Sequence, residues 1–199
     1  MKLSHLSILA FVFATGCVSA TLDDDVTVKK QLDFSSVIAQ ASTSQVSGLQ
    51  AACKQLPAAC SVPGIVPLQQ EQDIDVSKQL KDFDSDKYGA SYSLTDVVVE
   101  VHPTTCKGDC LANIGGITVT IGNCTLVDAS HAAVETGKFN VTDSKCVKEA
   151  LQAGPAKLGV EIDVSYSSVN AAVTALKTIP TIFDVKLDMH VEVNVEKSM

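Results

Sequence analysis

The sequence has no arginine and no tryptophan, and it is poor in aromatic residues. All 15 basic residues are lysines, set against 23 acidic residues, and the formal net charge is −8. A chain with net negative charge and no guanidinium forks for phosphate is not expected to bind nucleic acid. Aromatic residues make up 5% of the chain. The exposed aromatic platforms of carbohydrate-binding surfaces are therefore not expected either.

The core must be largely aliphatic, and the sequence pattern places it in β-strands. Within residues 181–195, apolar and polar side chains alternate from Val185 to Val195, which directs one face of a long strand to a core and the other to solvent. Shorter segments with this pattern lie at 92–102, 117–121, 139–141 and 158–166, and short helices are expected at 144–153 and 167–176. The sequence predicts a mainly β (α+β) fold, an antiparallel β-sandwich with short inserted helices and an N-terminal helical segment.

The N-terminal third has a different pattern. Apolar residues such as Val28, Leu32, Val37 and Ala41 are spaced as in one or two amphipathic helices over residues 26–56, and the acidic run at 23–25 would favour a helix N-terminus. The prolines at 63 and 67 bound a segment that cannot continue a helix. We therefore expect a helical segment and linker at 17–67 and a β-rich domain at 68–199.

The first residues have the features of an export signal. Lys2 precedes an apolar run at 6–14 that is too short to cross a bilayer. Two cleavage sites remain open. Cleavage after the small residue Ala20 removes residues 1–20 and leaves Thr21 first, whereas cleavage before Cys17 removes residues 1–16.

The segment Ala14-Thr15-Gly16-Cys17 resembles a bacterial lipobox. Together with the acidic stretch, the proline-bounded linker and the alternating strands, it makes the chain similar to small orphan lipoproteins of the bacterial cell envelope. The resemblance implies an acylated Cys17 as membrane anchor. It also implies an outer-membrane location, because Val18 stands where an Asp would favour inner-membrane retention. A structural, adhesive or protein-interaction role would follow.

Six cysteines remain besides Cys17, an even number that predicts disulfides in an exported chain. Connectivity does not follow from the count. Local spacing favours three pairs: Cys53 with Cys60, Cys106 with Cys110, and Cys124 with Cys146.

Few residues suggest catalysis or metal binding. Asp82, Asp84 and Asp86 alternate like calcium ligands, but Lys87 and Ser93 stand where an EF-hand loop needs Gly and Glu, so a solvated acidic turn is expected. Asp188 and His190 share the polar face of the last strand with Lys186 and Glu192. They are candidates for a general base or a metal site, but an ordinary charged outer face is the better explanation. We expect no catalytic residues, no resident metal and no cofactor.

A secreted glycoprotein that carries a lipid or another small apolar ligand is the alternative function. Asn123 and Asn140 lie in glycosylation sequons. The segment at 97–115 is similar to part of the lipid-recognition sandwich family related to cholesterol-carrying proteins, which implies an apolar ligand. An enzyme of unknown class is the third possibility, and it would use Asp188 and His190.

Overall fold

A computed structural model describes residues 18–76, 90–104, 106, 110–134 and 136–197. The predicted leader, Cys17 and the acidic segment at 82–86 lie outside the described residues. The eight strands of the described part are β1 (Val18–Asp33), β2 (Gly64–Ile74), β3 (Ala90–Pro103), β4 (Ile114–Ile121), β5 (Cys124–Ser130), β6 (Lys138–Asn140), β7 (Ala156–Tyr166) and β8 (Ile182–Lys197). The helices among the same residues are α1 (Ser35–Ala41), α2 (Ser47–Gln55), α3 (His131–Val134), α4 (Ser144–Gln152) and α5 (Val169–Thr178), with a π-helix at Ser42–Val46 and a 3₁₀ helix at Pro57–Ser61.

The strands pair in nested order along the chain. β1 pairs with β8, β2 with β7, β3 with β6 and β4 with β5, all antiparallel. These pairs alternate between two four-stranded sheets, ordered β1-β8-β3-β6 and β2-β7-β4-β5. One long hairpin wrapped in this way is a jelly roll, a sandwich of two antiparallel sheets. The predicted antiparallel sandwich with short helices is confirmed.

The strand β8 lies between β1 and β3 and contributes a continuous inner face, as its alternation predicted. The inner residues of β8 are all buried: Phe183, Val185, Leu187, Met189, Val191 and Val193. At one end of this row the rings of Phe34 and Phe183 meet edge to face, with centroids 5.7 Å apart. The core also includes buried side chains from both sheets, so it lies between them.

The predicted helix is wrong for residues 26–33, which belong to β1. Val28 and Leu32 are four residues apart, and a spacing of four fits both a helical turn and two strand repeats. Val26 and Leu32 are buried, and β1 pairs over its whole length with β8. Burial against β8 decides between the two periods. Farther along, α1, the π-helix and α2 follow one another over residues 35–55, within the predicted helical range.

The expected linker at 63–67 is also wrong from Gly64 onward, because β2 begins there. β2 is an end strand of its sheet, and Pro67 occupies an exposed position on it. Proline is tolerated on edge strands, where its missing N–H need not serve a neighbour. The expected boundary between residues 67 and 68 thus falls inside a strand, and both β1 and β2 are part of the sandwich.

Candidate functional site

The outer face of the β1-β8-β3 sheet gathers most of the charged candidates. Residues that pair directly on antiparallel strands point to the same face. Across the three strands, one row holds Asp25, His190 and Asp96, and the next row toward the end of β8 holds Asp23, Glu192 and Ser93. The register therefore surrounds one histidine with carboxylates from both neighbouring strands.

His190 is held by the neighbouring strand. Its Nδ1 donates a hydrogen bond to Oδ1 of Asp25 at 2.8 Å. Ligand atoms of Asp23, His190 and Glu192 lie within 4.8 Å of one another. The hydrogen bond with Asp25 raises the pKa of His190, burial opposes it, and the charges of Asp25, Asp23 and Glu192 raise the pKa further. The protonated imidazole is thus stabilised by its setting.

Asp188 belongs to a separate set of contacts. Its carboxylate accepts a hydrogen bond from the hydroxyl of Thr27 at 2.7 Å and pairs with Nζ of Lys186 at 2.5 Å. Burial by itself would raise the pKa of Asp188, but the hydrogen bonds from Lys186 and Thr27 outweigh it, and the pKa is lowered. The same hydrogen bond with Asp188 raises the pKa of Lys186. Both charges are therefore compensated within the sheet.

This arrangement has limited chemical capacity. Asp188 and His190 have different partners on an open strand face, so the pair is not arranged as a base and its orienting group. Asp23, His190 and Glu192 could offer three ligands to a divalent cation. Asp23 is exposed, however, and the other two are half-buried, an arrangement that surface charges also adopt without a metal. Within the described residues, this face is best explained as a charge network joining β1 to β8.

Sequence reasoning found Asp188 and His190 but missed Asp23 and Asp25 as their neighbours. Those two residues were assigned to the start of a helix, and only the β1–β8 register brings them to the histidine. The sequence signal was weak. Asp23, Asp25, Thr27 and Lys29 stand at every second position, but Asp24 and Lys30 occupy places where the alternation of β8 has apolar residues.

The three disulfides join the pairs favoured by local spacing. Cys53 and Cys60 connect α2 to the 3₁₀ helix, with Cα atoms 4.7 Å apart. Cys106 and Cys110 close a short loop after β3, and Cys124 joins β5 to Cys146 on α4. Each bridge therefore links segments that are adjacent along the chain or in the sandwich.

The two sequon asparagines are both exposed. Asn123 lies in the turn between β4 and β5, and Asn140 lies on β6 opposite Val98. Asn123 also borders an open groove of about 610 Å³, beside the Cys124–Cys146 disulfide and the ion pair of Lys157 with Glu71. The groove is open to solvent and mixes charged with small apolar side chains, unlike the mostly apolar, enclosed pockets that hold apolar ligands.

Three large apolar side chains are exposed around the 3₁₀ helix. Leu56, Val62 and Ile65 are 66%, 55% and 58% exposed, respectively. They lie within ten residues of one another along the chain: Leu56 is inside the Cys53–Cys60 loop, and Val62 and Ile65 follow it. Exposed apolar groups close together are typical of surfaces that contact other proteins. Among the described helices, none has the length and hydrophobicity needed to cross a membrane.

No protein-family model matches this chain, and no curated protein matches it either. Solved structures match at low identity. A structure of Desmodium yellow mottle tymovirus covers 98% of both chains with 7% identity and a TM-score of 0.34. The empty head of turnip yellow mosaic virus covers 100% of this chain and 92% of its own at 8% identity, with a TM-score of 0.30. The decameric BFDV capsid protein covers 91% of this chain and 100% of its own, with 10% identity and a TM-score of 0.33. TM-scores this low do not establish a shared fold. The jelly-roll assignment is based on the strand order alone.

Proposed function

We propose that this chain is an exported, non-enzymatic protein of the cell envelope. It is anchored in the outer membrane through an acylated Cys17, and it acts through contacts with other proteins. The observation that carries the proposal is the set of three disulfides within one sandwich. Disulfides form and persist outside the reducing cytosol, which supports the export that the leader predicts.

The start of the fold is compatible with the proposed anchor. β1 begins at Val18, the residue directly after Cys17. An acyl chain on Cys17 would therefore be attached next to the sandwich, with no intervening tether. The protein would lie close to the membrane surface, where a compact, disulfide-linked domain can present its faces to neighbouring proteins.

Two observations support a role without catalysis. The best catalytic candidates, Asp188 and His190, are engaged with different partners on an open face. Leu56, Val62 and Ile65 supply exposed apolar surface of the kind used in protein contacts. A protein-interaction role uses the exposed apolar surface, and it does not require polar side chains that converge in a pocket.

The decisive experiment is an intact-mass spectrum of the mature protein from its native host, combined with membrane fractionation. We expect a chain that begins at Cys17 and carries acyl mass, in the membrane fraction. Cys17→Ser should move the protein to the soluble fraction. Ala20→Gln is the matched control. It removes the small residue required for cleavage before Thr21, and it should leave acylation unchanged.

The alternative is the secreted glycoprotein with an apolar ligand. It is favoured by the exposure of both Asn123 and Asn140, since glycosylation requires accessible asparagines. In that case the mass spectrum shows a chain beginning at Thr21 with glycan mass, Ala20→Gln blocks processing, and Cys17→Ser has no effect. Such a result would overturn the lipoprotein proposal.

A further inference from the structure

The strand β1 is a long edge strand with an unusual order of charges. It is a terminal strand of its sheet in the part of the chain that the structure describes, and it runs for 16 residues. Three aspartates at 23–25 and two lysines at 29–30 stand on either side of Val26-Thr27-Val28. We propose that two copies of this chain associate through antiparallel pairing of their β1 strands, centred on Thr27, to form one continuous eight-stranded sheet.

The charges are complementary in this register. When two identical strands pair antiparallel about Thr27, Asp25 opposes Lys29 of the second copy, and Asp24 opposes its Lys30. Two-fold symmetry repeats both pairs, so four pairs of opposite charge flank the centre. Between these charge pairs, Val26 opposes Val28 of the second copy. Directly opposed side chains on antiparallel strands are close enough to interact, and opposite charges at such positions are favourable.

The faces agree as well. Opposed residues must point to the same side of the new sheet, which requires an even separation between them along the strand. Asp25 and Lys29 lie on the outer face, because they pair with His190 and Lys186 of β8. Asp24 and Lys30 lie on the inner side, opposite Val191 and Val185. Both pairs therefore meet on a common face.

Neighbouring registers are less favourable. Centring the pairing on Val26 leaves only the Asp23–Lys29 pair in each half. Centring it on Val28 leaves no pair of opposite charge and sets Asp23 against Asp33. The sequence of β1 thus selects one register out of those that keep the faces matched.

Charges on an edge strand ordinarily prevent association with other strands. On β1 the sign of the charge changes at the centre, so a second copy of the same strand meets Asp24, Asp25, Lys29 and Lys30 with opposite charges, while Asp23 faces the neutral Gln31. An unrelated strand does not. The side chain of Asp25 is 80% exposed, and Asp24 and Lys29 are also exposed. Main-chain hydrogen bonds along the free edge would supply the attraction, and the charges would supply partner choice and register.

Sedimentation velocity of the full chain tests this proposal, with Cys17→Ser introduced so that no acyl group is attached. We expect a dimer whose dissociation constant rises at least tenfold between 50 and about 500 mM salt, because exposed charge pairs are screened. Lys29→Asp/Lys30→Asp and Asp24→Lys/Asp25→Lys should each weaken the dimer at least tenfold. Lys54→Asp/Lys177→Asp is the matched control for Lys29→Asp/Lys30→Asp, since it lowers the net charge equally but away from β1, and it should leave the dimer intact.

Charge-swap and cysteine variants test the register directly. Lys29→Asp/Lys30→Asp makes all four charged positions acidic, and Asp24→Lys/Asp25→Lys makes all four basic. An equimolar mixture of these two single-sign variants should form a heterodimer. The chain carrying all four substitutions should recover the homodimer. Thr27→Cys should form an intermolecular disulfide under mild oxidation. Gln31→Cys should not, because its two copies would be about 27 Å apart along the paired strands.

The proposal is overturned if the Cys17→Ser chain with an unchanged β1 is monomeric at low salt and millimolar concentration. It is equally overturned if the dimer persists unchanged in each single-sign variant. It is also overturned if the acidic and basic variants do not associate when they are mixed. These outcomes concern β1 alone, so they are independent of whether Cys17 is acylated.

Discussion

Asp25 and His190 stand directly opposite each other on β1 and β8, and Nδ1 of His190 donates a 2.8 Å hydrogen bond to Oδ1 of Asp25. The two residues are 165 positions apart in the sequence. Their hydrogen bond connects the first strand to the last strand on the solvent face, where the sheet has no core contacts to fix the pairing.

This relationship predicts a pH-dependent contribution to stability. The pKa of His190 is raised above its ordinary value in the folded protein, so the folded state binds the proton more tightly than the unfolded chain does. The stabilisation is complete below the unfolded pKa, about 6.5, and is lost as the pH rises through the folded pKa. We expect the free energy of unfolding to fall across that interval. The fall should be modest, because solvent screens a pair that is this exposed.

Asp25→Asn should lower the pKa of His190, as measured by NMR titration of the imidazole signals. Asp24→Asn is the matched control, because Asp24 points to the other side of β1. It should change the pKa of His190 much less. Equal shifts in the two variants would mean that general charge, and not the hydrogen bond, sets the pKa.

The Cys124–Cys146 disulfide should stabilise the fold more than Cys106–Cys110 does. The first closes a loop with a sequence separation of 22, the second a loop with a separation of 4. In the chain-entropy model, Cys124→Ala/Cys146→Ala should lower the free energy of unfolding by about 3 kcal/mol and Cys106→Ala/Cys110→Ala by about 2 kcal/mol. Burial favours the same order, since Cys124 is buried and Cys146 half-buried, whereas Cys110 is buried but Cys106 is exposed. Urea unfolding of both variants measures it, and the reverse order would contradict the loop argument.

Most of the strands that the sequence predicted have several uninterrupted repeats; the exception is the three-residue β6, which overlaps the predicted segment 139–141. β8 and β7 alternate strictly, because each is flanked by strands on both edges and buries one face fully. β1 was not predicted, because Lys30 interrupts its inner row and the remaining spacing of four residues fits a helix equally well. β2 was not predicted because Pro67 and the polar Gln70 and Gln72 obscure its alternation. Edge strands need fewer apolar residues, so they carry a weaker pattern.

The candidate site followed the same division. Asp188 and His190 were predicted to share a face because they lie on one strand, two residues apart. Asp23 and Asp25 required the register of β1 on β8, which local patterns do not specify. A one-residue slip would have turned them to the opposite face. The common face of two residues on one strand was therefore predictable, and the contacts between β1 and β8 were not.

Two glycines should respond to alanine in opposite directions. Gly137 has φ +61°, and a Cβ added there would lie 2.6 Å from Cε1 of His102 and 2.8 Å from the carbonyl oxygen of Val101. Gly137 also accepts a hydrogen bond from the Val101 N–H at 2.7 Å, so the backbone cannot move away freely. Gly137→Ala should lower the free energy of unfolding by about 1–3 kcal/mol.

Gly48 lies in α2 with open space around it. Gly48→Ala should therefore raise the free energy of unfolding by about 0.5–1 kcal/mol, through the lower conformational entropy of the unfolded chain. Thermal and urea unfolding of both variants measures the two effects. Stabilisation by Gly137→Ala would show that the space between Gly137 and β3 is less crowded than its geometry indicates.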